Sequence, residues 1–222
     1  MLAQSYRHFC PVARAIEKIG DKWSLLIIRD LLREPQRFTD LIGSLSNITP
    51  KWLTQRLRDL EAAGIVKRDK KPGRREVWYD LTPAGRELGP VIEALMVWGF
   101  RWAMRPPVPG EVVHPDLMMR GLTFSLNKRG KQPAQTATWA MRFPQATYAL
   151  SFDGEGWTSR KQDDSEADVT VTTTPEIWAT VFSSPRSERS RLAETLQIEG
   201  APENVAEFMN IFGIQHKGTA NT

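Results

Sequence analysis

Apolar positions recur at helical spacing through the first hundred residues. In "PVARAIEKIG", Val12, Ile16 and Ile19 fall on one face, and Gly20 supplies the stop. "DKWSLLIIRDLLRE" opens on Asp21 as a cap and carries Leu25, Ile28 and Leu32, the pattern of a central helix in a small core; Pro35 ends it. "RFTDLIGSL" predicts a short helix with Leu41, Ile42 and Leu45 on its apolar side, after which "SNI" turns the chain. The next helix starts at Thr49, a good N-cap, with Pro50 at the first helical position. Leu53, Leu57 and Leu60 form its buried stripe, and Gly64 stops it. "IVKRDKK" and "REVWYDL" read as two strands joined around Pro72-Gly73. "TPAGRELGPVIEALMVWGFRWAMR" reads as one last helix from Thr82 and Pro83, carrying Leu88, Ile92, Leu95, Trp98 and Trp102.

The periodicity changes after "MRPPVPGEVVHP", a stretch of four prolines and a glycine that cannot continue a helix. Residues 105–114 are therefore the expected linker between a domain at 1–104 and another at 115–222. Beyond it, "HPDLMMRGLTFSLN" predicts a helix, with a strand as the alternative. "QTATWAMRF", "ATYALSF", "GWTSRKQ" and "ADVTVTTT" alternate as strands do, "PEIWATVFSS" returns to helix, "TLQIEG" is a short strand and "APENVAEFMNIFG" a last helix. The fold class expected is α+β, with an antiparallel sheet flanked by helices in the second half.

Composition adds charge asymmetry. Of 222 residues, 41% are hydrophobic and 25% charged, ordinary globular usage. Residues 1–105 hold 19 lysines and arginines against 12 acids, whereas 106–222 hold 11 against 14. A basic half joined to an acidic half is the pattern of a nucleic-acid-binding part joined to a non-binding one. A single cysteine, Cys10, excludes an internal disulfide framework. The histidines His8, His114 and His216 show no metal-ligand spacing, and no apolar run is long enough to span a bilayer. No long apolar stretch opens the chain, so a cytoplasmic protein without metal, cofactor or membrane partner is expected.

Two short helices joined by a tight turn and followed by a β-hairpin make a winged helix-turn-helix, whose second helix can enter the major groove. On the outer face of that helix, Gln55 can pair with adenine and Arg58 with guanine, while Lys51 and Thr54 can hold phosphates. Arg56 falls nearer the core side and reads as a structural arginine bonding a nearby carboxylate or carbonyl. The hairpin tip places Lys70, Lys71, Arg74 and Arg75 around its turn, suited to the backbone or the minor groove.

Residues 10–103 resemble the HxlR-type winged-helix transcriptional regulators. The resemblance rests on "CPVARAIEKIGDKWSLLIIRDLL", "RFTDLIGSLSNITPKWLTQRLRDLEAAGIVKR" and "YDLTPAGREL". It implies a homodimer on a near-palindromic double-stranded DNA operator, with the dimer surface on the helices near 11–19 and 83–104. Trp98 and Trp102 would then be interface residues, or else buried within one subunit. The family also implies a redox role for Cys10, which otherwise is a small residue starting a helix. "ADVTVTTTPEIWATVF" with "LQIEGAPENVAEFMNIF" resembles the sterol-carrier-protein fold. That resemblance implies a cavity for a small hydrophobic ligand, lined by Trp139, Phe143, Tyr148, Phe152, Trp157, Trp178, Phe182, Phe208 and Phe212, unless these aromatics simply fill a core.

No Ser-His-Asp order, phosphate loop or His-carboxylate cluster is present, so no enzyme is expected. The competing reading is a lipid carrier whose winged helix binds a protein.

Overall fold

The computed structural model describes residues 5–69, 76–162 and 166–214. The chain packs as two compact units, Met1–Trp98 and Gly99–Thr222.

In the first unit, α1 (Pro11–Ile19) begins with Pro11 at its first position after Cys10. Its expected inward face is only partly used. Ile19 is buried, but Val12 is 65% exposed and Ile16 is exposed as well. The central helix α2 (Lys22–Leu31) is capped by the Asp21 carboxylate, which accepts from the Trp23 amide at 2.9 Å, and it buries Ile27, Ile28 and Leu31. After the short strand β1 (Gln36–Arg37) comes α3 (Phe38–Ser44), whose Asp40 accepts the Arg37 amide at 3.0 Å. A turn through Asn47, held at φ 72°, leads to α4 (Pro50–Ala62). There Leu53, Leu57 and Leu60 are buried, as their spacing requires.

Gly64, at φ 73°, ends α4 in the left-handed conformation that glycine adopts without strain. Strands β2 (Val66–Asp69) and β3 (Trp78–Leu81) pair antiparallel, Val66 opposite Leu81, and β1 adds to the other side of β3. Gly85 is fixed by close approach: a Cβ there would collide with the Ile65 carbonyl oxygen. The long last helix expected from Thr82 is broken into α5 (Pro83–Arg86) and α6 (Gly89–Trp102). Pro90 explains the break, because it has no amide to donate back to Arg86 and its ring clashes with the preceding turn.

The second unit contains the proline-rich stretch, where Arg105 grips Glu111 through two nitrogens at 2.6 and 2.8 Å. Then come α7 (Pro115–Arg129), β4 (Ala137–Phe143), β5 (Ala146–Phe152), β6 (Trp157–Lys161), β7 (Val169–Thr172), α8 (Pro175–Ser183), α9 (Arg186–Ala193), β8 (Gln197–Gly200) and α10 (Pro202–Phe212). The sheet order is β6-β5-β4-β7-β8. It is mixed, not wholly antiparallel as expected: β7 runs parallel to β4, with Trp139 opposite Val169. The hairpins β4-β5 and β5-β6 stack to one side of β4, so β7 takes its free edge and arrives by a crossover, the connection a parallel pair requires.

Alternation along the strands puts Trp139, Met141 and Phe143, Leu150 and Phe152, and Val169 and Val171 into one core with Met119, Trp178, Phe208 and Phe212 from the helices. Asn127 of α7 pairs with the backbone of Trp157, donating to its carbonyl at 3.0 Å and accepting its amide at 2.8 Å. The pattern gave no sign of α9, because "RSERSRLA" buries only Ala193 and has no apolar stripe. Arg189 anchors that helix, donating to the carbonyls of Ser184, Phe182 and Phe212 at 3.0, 2.8 and 3.2 Å.

Candidate nucleic-acid interface

Helix α4 is held from behind by its leucine stripe and from its start by Thr49, whose hydroxyl oxygen accepts the Trp52 amide at 3.3 Å. The opposite face is left to solvent. Lys51, Gln55 and Arg58 are exposed there, and Thr54 is half-buried. Neither Lys51 nor Arg58 has an acidic partner among the described residues. The Thr54 hydroxyl donates to the Pro50 carbonyl at 2.8 Å, so only its lone pairs remain for another partner.

Gln55 is already oriented. Its Nε2 donates to Asp59 Oδ1 at 2.8 Å. A carboxylate only accepts, so the amide oxygen points away from Asp59. Bidentate pairing with adenine would require this contact to open. Asp59 also takes Arg56, whose Nη2 lies 2.5 Å from Oδ2, while Nη1 stands 3.9 Å from Asp21 at the start of α2. Arg56 thus ties the helix to the core and stays off the outward face, as its position on the helix wheel suggests. Trp52 was missed as a candidate. It is 54% exposed in the first turn of α4. Its place between Lys51 and Gln55, off the leucine stripe, was the available signal.

The support beneath α4 is polar as well as apolar. Asp30 on α2, only 1% exposed, accepts from Ser44 Oγ of α3 at 2.7 Å and from Arg29 Nε at 2.8 Å. Arg37 joins α3 to the hairpin. It bonds Asp40 through Nε at 3.1 Å, reaches Glu76 at 3.3 Å and lies 5.6 Å from the Trp78 ring centroid. The hydrogen bond from Arg37 holds the Asp40 carboxyl below the usual aspartate range. The tip residues Lys70, Lys71, Arg74 and Arg75 lie outside the described residues.

Elsewhere, Cys10 is half-buried at the N-terminus of α1. On α6, Val91, Leu95 and Val97 are exposed, with Trp98 at 59% and Trp102 at 66%, so neither tryptophan is buried within the chain. Of the nine aromatics expected to line a cavity, Trp139, Phe143, Tyr148, Phe152, Trp157, Trp178, Phe208 and Phe212 are buried and Phe182 is packed against them. Their rings touch in series: Trp139 lies 4.8 Å from Trp157 and 5.0 Å from Phe208, and Trp178 lies 4.1 Å from Phe182. Among the described residues no cluster could hold a metal ion, and no helix is long and apolar enough to cross a membrane.

A small helical core, an outward cationic helix and a two-stranded hairpin behind it define the first unit as a winged helix-turn-helix. The HxlR-like helix-turn-helix family profile matches residues 18–107. An uncharacterised HTH-type transcriptional regulator of Synechocystis is 38% identical over 96 residues, covering 43% of this chain and 71% of that protein. The uncharacterised HTH-type transcriptional regulator YvaP of Bacillus subtilis is 34% identical over 95 residues, covering 42% and 88%. Among solved structures, the redox regulator HypR in its oxidized form is 35% identical, covering 40% of this chain and 94% of that one, with a TM-score of 0.39. The chain belongs to the HxlR-like helix-turn-helix family.

Proposed function

We propose that this protein is a transcriptional regulator that binds a near-palindromic operator as a homodimer, acting by binding and not by catalysis. The observation that carries the reading is the outward face of α4, where Lys51 and Arg58 are exposed and, among the described residues, lack acidic partners on a helix fixed by its buried stripe. Unpaired cations on a recognition helix release counterions from DNA when they meet phosphate. The names of the relatives support the same role. The exposed apolar residues of α1 and α6 support a dimer, since these are surfaces a lone subunit leaves in water.

The element order α7, β4 to β7, α8, β8 and α10 around one aromatic core supports a sterol-carrier-like second unit. A hydrophobic ligand there would have to part rings that already touch. Cys10 is the better supported regulatory input, because its thiol sits at the start of the helix whose apolar face is open.

The test is fluorescence anisotropy of the full chain on duplexes from around its own coding region, at several salt concentrations. A specific complex should form, with log affinity falling by about 0.9 per log salt for each phosphate neutralised. Arg58→Ala should relax sequence preference. Absence of any specific complex would favour the carrier reading instead.

A further inference from the structure

We propose that Trp52 reads the 5-methyl group of thymine in the major groove, making it a specificity-determining residue of the operator contact. The inference rests on the DNA-binding reading above and goes beyond it by naming the base and the group recognised.

Trp52 is a large apolar plate, 54% exposed, in the first turn of α4. Among the described residues its ring has no aromatic or cationic partner. Tryptophan is highly buried on average, so this exposure asks for a partner. A recognition helix contacts base edges mainly through its N-terminal residues, and Trp52 is the third residue of α4. At about 100° per residue it stands roughly 60° from Gln55, the centre of the outward arc.

Its surroundings decide between a protein and a base edge. Trp98 and Trp102 share one helical face with Val91 and Leu95, all exposed, an apolar face of the kind proteins dock on. Trp52 is bordered on its helix by Lys51, Gln55 and Arg56. A single apolar plate among cations and an amide suits a polyanion that offers one apolar group at a time. Thymine supplies the only such group on the major-groove edges of the bases, its C5-methyl. Lys51 would hold a flanking phosphate while Arg58 pairs with a guanine, and together they fix the distance at which the indole meets that edge. The carboxylate on the same flank, Asp59, is already engaged by Arg56 and Gln55 and so repels DNA less.

The experiment begins by selecting duplexes from a random pool with the full-length protein. Each thymine of an enriched duplex is then replaced in turn by deoxyuridine, which removes the methyl alone. Anisotropy titrations compare wild type, Trp52→Ala and Trp52→Phe, with thermal melts confirming that each variant folds. One thymine per half-site should weaken wild-type binding about fourfold on replacement, and about fifteenfold when both half-sites are changed. Trp52→Ala should bind the two duplexes almost equally, and Trp52→Phe should keep part of the difference. Wild-type insensitivity at every thymine would overturn the assignment, as would an undiminished methyl effect in Trp52→Ala. Should Trp52→Ala fail to bind, the wild-type scan and Trp52→Phe still decide. A selection that enriches nothing would instead remove the DNA-binding reading, and this inference with it.

Discussion

Replacing Asp30 by alanine should loosen the whole helix-turn-helix, although this residue lies behind the proposed DNA face. Asp30 is 1% exposed, and its carboxylate accepts two hydrogen bonds, from Ser44 Oγ at 2.7 Å and from Arg29 Nε at 2.8 Å. Hydrogen bonds to a charged group contribute about 1.5–3 kcal/mol each. Part of that is recovered in the variant. The Arg29 side chain is 27% exposed and can return to water, and Ser44 keeps a longer bond to the Leu41 carbonyl at 3.2 Å. A net loss of about 3 kcal/mol is expected, near the lower end for breaking a buried pair. Asp30→Asn keeps an acceptor for Ser44 but loses the charge facing Arg29, so about half that loss should follow. Hydrogen exchange read by mass spectrometry suits a two-unit chain, because it reports each unit separately. Amides of α2 and α4 should exchange about a hundredfold faster in Asp30→Ala, while those of α8 and α10 serve as an internal control. Exchange within about threefold of wild type, or an asparagine variant no better than alanine, would refute the claim that this carboxylate holds α2 to α3.

Three further outcomes follow from the same structure. For the proposed dimer, Trp98→Lys combined with Trp102→Lys should give a monomer in sedimentation velocity; a dimer left unchanged would place the interface elsewhere. Gly85→Ala should destabilise the first unit by about 2 kcal/mol or more, since the new methyl meets backbone that cannot move aside, and the loss would show in chemical unfolding. Glu111 should titrate at about 2, because the Arg105 guanidinium and then the Val108 amide hydrogen-bond its charged form. Its folded value lies below the unfolded one, so the clasp contributes above the usual glutamate range and fades as pH falls through about 2. Carbon-detected NMR of the Glu111 carboxyl would show this, and Arg105→Ala should raise the midpoint.

The sequence was most readable where one force acted alone. Leu53, Leu57 and Leu60 marked a buried stripe, Thr49 and Pro50 marked its start, and the structure has all five in those roles. It was least readable where an exposed residue and a buried one look alike. Val12, Ile16 and Ile19 share a period, yet only Ile19 is covered within the subunit, because periodicity records that a face is apolar and not what covers it. The break at Glu87 and Leu88 was present in Pro90 but outvoted by the apolar repeat around it. The parallel placement of β7 depends on a crossover whose direction no local pattern encodes. Trp52 lies off the leucine stripe, but an apolar residue on an outward helical face is not distinguished by pattern alone from one that packs inward.

The outward face of α4 is best understood as what remains after local pairing is complete. Of the two carboxylates on α4, Asp59 is taken by Arg56 and Gln55, and Glu61, although three residues after Arg58, is not among the ion pairs of the described residues. Arg56 is in turn drawn toward Asp21, the cap of α2, so the arrangement of that arc is tied to the core. Lys51 and Arg58 are left over, and the helix dipole adds positive potential at the end where Lys51 stands. A helix that needed only solubility would gain by pairing those charges along its own surface, at i to i+4 spacing. That both stay unpaired among the described residues, with Glu61 within reach of Arg58, is what the proposal of an anion arriving from outside expects.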